Sequence, residues 1–122
     1  MPNTRTTGAL RVELLATGPN AHGYGRVADG RTFAFRVRNR KARMEIYRAD
    51  ADGAEPMPED VELVAELSTG RVNLHSDRSL KVLLRTLVAA AEPGHEAPER
   101  TLRGYLGRLD AMLDGWAEAL AG

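Results

Sequence analysis

A strict period of two across residues 32–47 constrains this chain more than any other feature. In Thr32–Arg38 the apolar Phe33, Phe35 and Val37 alternate with Ala34, Arg36 and Arg38; in the next run Ala42, Met44 and Ile46 alternate with Arg43, Glu45 and Tyr47. A helix would scatter such residues around its circumference, whereas a strand sets them on opposite faces. The polar tip between the runs, Asn39-Arg40-Lys41, makes them an antiparallel hairpin with one apolar face. Setting Asn39 opposite Ala42 pairs Val37 with Met44 and Phe35 with Ile46 on that face. On the other it pairs Arg38 with Arg43, Arg36 with Glu45 and Ala34 with Tyr47.

The flanking segments extend this sheet. Leu10, Val12 and Leu14 alternate with Arg11, Glu13 and Leu15, and Gly23–Val27 forms a second strand joined to the third by Ala28-Asp29-Gly30, where Gly30 is free to take the left-handed conformation. Pro56 and Pro58 make residues 49–60 a loop; Val61–Leu67 reads as a strand, with a helix over 59–67 as the alternative, and Arg71–Leu74 as a short return strand. From Ser76 the period becomes 3.6, with Leu80, Leu83, Leu84, Leu87 and Val88 on one stripe and Ser76 or Asp77 as cap. A second helix starts near Pro98 and carries Leu102, Leu106, Leu109, Met112, Trp116 and Leu120. The fold class is therefore α+β: a curled, mostly antiparallel sheet of about five or six strands followed by two C-terminal helices packing on it. At 122 residues the chain is one domain, with 1–8 read as flexible, 9–74 as sheet and 76–122 as the two-helix part.

Charge is neutral overall, 17 Lys and Arg against 17 Asp and Glu, but it is not evenly spread. Residues 1–48 hold ten basic side chains and three acidic ones, whereas 49–70 hold seven acidic side chains and no basic one. Fields act over about a Debye length, 8–10 Å, so the local surplus matters more than the total. There is no cysteine, which excludes disulfides, thiolate metal sites and a cysteine nucleophile. No signal-like apolar stretch opens the chain and no run approaches a membrane span, so a cytoplasmic protein without a membrane partner is expected.

The basic hairpin is the candidate site. Arg26, Arg36, Arg38, Arg40, Lys41 and Arg43 offer charge for phosphates, and Tyr47 offers a ring for an unpaired base, joined by Tyr24 if Gly30 closes a three-residue loop. The competing explanation is an exposed strand kept soluble by arginine, or arginines neutralised by the acidic loop 49–60 folding back over them. His22, His75 and His95 lack ligand spacing, and adjacent His75-Ser76-Asp77 cannot adopt triad geometry, so neither a metal, a cofactor nor catalysis is expected. The expected function is non-catalytic binding of single-stranded or distorted DNA or RNA on a basic sheet face. The alternative is a protein-interaction or homo-oligomeric module, a homodimer included, using Leu109, Met112 and Trp116 on the C-terminal helix. Strands followed by a helix are similar in layout, and in layout alone, to the Whirly-type and transcription-coactivator single-strand binders.

Overall fold

The alternating run of residues 32–47 folds into two antiparallel strands, the centre of a six-stranded meander. The computed structural model describes residues 10–51, 56–94, 101–103 and 106. Its strands are β1 (Arg11–Ala16), β2 (His22–Arg26), β3 (Thr32–Arg38), β4 (Lys41–Tyr47), β5 (Val61–Ser68) and β6 (Glu92–Pro93). Each pairs antiparallel with its neighbour in sequence, so the sheet is open, with β1 and β6 at its edges. One helix, α1 (Asp77–Ala90), follows β5 and starts where the Ser76 hydroxyl accepts the Ser79 N–H at 3.2 Å.

The hairpin register differs from the expected one by two residues. Arg38 faces Lys41, Val37 faces Ala42, Arg36 faces Arg43 and Phe35 faces Met44. The turn is Asn39-Arg40, both left-handed at φ 53° and 62°, because a two-residue turn of that hand matches the twist of the strands it joins. A shift of two preserves the faces, so the core is as expected while the charge pairs are not. Two basic pairs, Arg36 with Arg43 and Arg38 with Lys41, replace the single one expected.

The apolar face packs on α1. Phe33, Phe35, Val37, Met44 and Ile46 are buried with Leu80, Leu83, Leu84 and Leu87 of the helix. Burying each such side chain is worth roughly 1.5–3 kcal/mol. A bulge between Val12 and Leu14 corrects the alternation expected for β1: Val12 and Leu15 reach the core, while Leu14 lies opposite Tyr24 on the other face. Gly23 and Gly25 are required here, since a Cβ on either would meet a β1 carbonyl oxygen, Leu14 or Arg11, and on Gly23 also the Phe35 ring at 2.9 Å.

Arg71–Leu74 is not a return strand. The partner of β5 is β6, beyond α1, while Val72 and Leu74 pack against the core and the Leu74 carbonyl accepts the Gly18 N–H at 2.8 Å. Of the second helix expected near Pro98, the described residues are Leu102, Arg103 and Leu106, all helical. Leu102 and Leu106 do not join α1: they pack on the opposite face of the sheet, with Ala34, Tyr47 and Val61. Leu109, Met112 and Trp116 lie outside the described residues, as does the segment 1–8.

Candidate nucleic-acid interface

The face away from α1 is ordered in rows set by strand register. Tyr24, Ala34, Glu45 and Val64 form one row; His22, Arg36, Arg43 and Glu66 form the next; Arg38, Lys41 and Ser68 form the third. Rows are two residues apart along each strand, about 7 Å. The first row is covered by Leu102, Arg103 and Leu106, whereas the second and third open into a groove of about 330 Å³ lined by Arg36, Arg38, Asn39, Lys41, Arg43 and Glu66.

Arg43 is anchored at the groove's inner edge, 3.4 Å from Glu45 and 3.7 Å from Glu66. Arg36 is half-buried beside it, while Arg38, Arg40 and Lys41 are exposed and form no ion pair among the described residues. Among the described lining residues, four cationic side chains therefore converge on one groove with a single carboxylate at its rim. Arg40 sits at the turn, where its carbonyl accepts the Thr69 N–H at 2.9 Å.

Two of the expected residues are elsewhere. Arg26 lies four residues along β2 from the His22 row, about 13 Å away, and is 3.6 Å from Glu13 and 3.0 Å from the Gly30 carbonyl. Tyr47 is 0 % exposed, so its ring has no open face for a base, and the stacking role expected for it does not fit its position. Gly30 does close the three-residue loop at φ 94°, which brings Tyr24 to the arginine-bearing face.

Glu45 and Tyr47 instead form a buried polar hub. Glu45 is 2 % exposed, and its Oε1 accepts both the Tyr47 hydroxyl and the Leu102 N–H at 2.8 Å. The Tyr47 hydroxyl in turn accepts the Arg103 N–H at 3.0 Å. Two side chains of β4 thus bind N–H groups at the start of the C-terminal helical segment, the role usually given to a local cap. Burial, reinforced by the Glu45 charge, pushes the Tyr47 phenol far above its ordinary value and keeps it a neutral donor. Thr101 donates to the Pro56 carbonyl at 3.0 Å, and the Arg103 guanidinium stacks 3.7 Å above the Tyr24 ring. Sequence reasoning missed this hub. Its signal was present in Tyr24, Ala34 and Tyr47, three residues of low polarity sharing the face taken to be polar.

The described residues of the acidic loop 49–60 do not cover the groove, whose rim carboxylate, Glu66, comes from β5. Asp60 and Asp50 flank Arg48 at 2.7 and 3.8 Å, at the opposite end of β4, and Glu62 pairs with Arg31 at 2.7 Å. The Arg48 bond holds the Asp60 carboxyl below the usual range, and the Arg31 bond does the same for Asp29. A separate concavity of about 460 Å³ lies between α1 and the end of β5, with Leu67, Val72, Leu83 and the 54 % exposed Val82 along it.

Among the described residues no group of three or more His, Asp or Glu is placed to hold a metal ion, and no helix is long and apolar enough to cross a membrane. No family model matches the chain, and comparison with curated proteins and with solved structures yields no match.

Proposed function

We propose that the protein binds single-stranded or distorted nucleic acid non-catalytically, taking the phosphate backbone into the groove of Arg36, Arg38, Lys41 and Arg43. The observation that carries this reading is the convergence of these four cations on one groove, where Glu66 is the one carboxylate among the described lining residues. Guanidinium groups suit phosphate oxygens because two N–H donors meet them in a planar fork. A strained turn supports the same reading: Arg40 holds a left-handed conformation that glycine would adopt without steric cost, and it places another positive charge beside the groove.

The test is anisotropy of labelled oligodeoxythymidine across salt concentrations. Four phosphate contacts on a single strand give a log–log salt slope of about −3. The double variant Arg38→Ala/Lys41→Ala should make that slope shallower by about 1.4. Absence of binding at low salt removes the proposal.

A second reading, a protein-interaction module, draws on the exposed Val82 and the apolar concavity beside it. Sedimentation at rising concentration separates the two. Self-association abolished by Val82→Asp supports the interaction module, and a monomer at all concentrations removes its homo-oligomeric form.

A further inference from the structure

We propose that the ring face of Tyr24 is a base-stacking subsite of this interface, and that Arg103 occupies it until an unpaired base displaces the guanidinium. The inference rests on the nucleic-acid reading above and adds how a base, rather than a phosphate, is received. Tyr24 lies in the row next to His22 and Arg36, about 7 Å along the strand, so a nucleotide whose phosphate rests against Arg36 has its base near the Tyr24 ring. That ring is already stacked: the Arg103 guanidinium carbon is 3.7 Å from its centroid. A planar cation at van der Waals distance over an aromatic face holds the position a stacked base would take.

The segment that carries Arg103 is tied to the groove itself. Leu102 N–H and Arg103 N–H donate to Glu45 and Tyr47 at 2.8 and 3.0 Å, and the second oxygen of Glu45 lies 3.4 Å from Arg43. A phosphate that draws Arg43 away from Glu45 changes the charge around the carboxylate holding Leu102. Binding in the groove and release of Arg103 from Tyr24 therefore share one side chain, Glu45.

The sign of one substitution decides the matter. Arg103→Ala removes a positive charge; if that charge only attracted phosphate, affinity for oligodeoxythymidine would fall. If Arg103 blocks a stacking site, affinity rises about fivefold, the lower end of what one stacked base supplies. The gain should vanish in Arg103→Ala/Tyr24→Leu and should be absent for an abasic strand carrying the same phosphates. A second readout needs no substitution: amide exchange at Leu102 and Arg103 should accelerate when wild-type protein is saturated with oligodeoxythymidine. Wild-type binding with equal or weaker binding by Arg103→Ala, or unchanged exchange at those amides, overturns the subsite alone. No binding by either protein at low salt overturns the subsite and the nucleic-acid reading together.

Discussion

Glu45 is a carboxylate at the centre of a sheet, and it is tolerated because three donors reach it: the Tyr47 hydroxyl, the Leu102 N–H and the Arg43 guanidinium. A buried ion left short of partners costs far more than such a network contributes, which makes the hub sensitive to single atoms. Tyr47→Phe removes one hydroxyl, leaving the Arg103 N–H without its acceptor, and should lower unfolding free energy by about 1–3 kcal/mol in urea titrations. A change under about 0.5 kcal/mol means that the hydroxyl is not holding the segment. The Arg48–Asp60 pair behaves differently with pH. Asp60 has its folded pKa depressed, so its contribution is present above the unfolded value of about 3.9 and is lost as pH falls through the lowered folded value. Urea midpoints followed from about pH 7 down to pH 2.5 should show a shallower acid limb in Arg48→Ala than in the wild type. Parallel curves would show that the pair is not formed in solution.

At the scale of elements, the β3–β4 hairpin sets local strain against charge. Its two turn residues are both left-handed, a conformation that costs a non-glycine residue about 1–2 kcal/mol, and the second of them is Arg40. Arg40→Gly is expected to raise stability by about 0.5–1 kcal/mol, the relief being partly offset by the greater backbone entropy of glycine in the unfolded chain. The same variant should weaken oligonucleotide binding. Thermal unfolding and anisotropy on one preparation check both halves; a variant that is no more stable shows that the turn is unstrained. The register itself follows from this turn. Reading Asn39 opposite Ala42 places the tip one residue later, and the alternation cannot reveal the error, because a shift of two leaves every side chain on its face.

For the whole molecule, the decisive feature is where opposite charges end up. Lys41 and Tyr47 mark the two ends of β4, about 20 Å apart, with the open groove at one end and Arg48, Asp50 and Asp60 beyond the other. That separation exceeds two Debye lengths of about 8 Å at physiological salt. Removing two charges of the acidic loop with Asp50→Asn/Glu59→Gln should therefore change oligonucleotide affinity by less than about twofold at that salt. A tenfold gain would show that the loop competes for the groove.

The sequence by itself determined what depends on neighbours along the chain. Period-two alternation set the two faces of β3 and β4, the change of period at Ser76 set the start of α1, and Gly30 set the β2–β3 loop. Each rests on interactions within a few residues: side-chain alternation, a hydroxyl three residues from the N–H it caps, a left-handed glycine. Tertiary structure decided the rest. The bulge that exchanges Leu15 for Leu14 arises in the pairing of β1 with β2, and β6 replaces Arg71–Leu74 as the partner of β5 after the chain returns past α1. Burial of Tyr47 depends on Leu102 and Leu106, more than fifty residues away in sequence, crossing to the face opposite α1. No local pattern records that crossing, because a strand's sequence shows which residues share a face but not what will cover it. The basic face legible from residues 32–47 thus divides in three dimensions into an open groove and a closed hub, with Glu45 touching both.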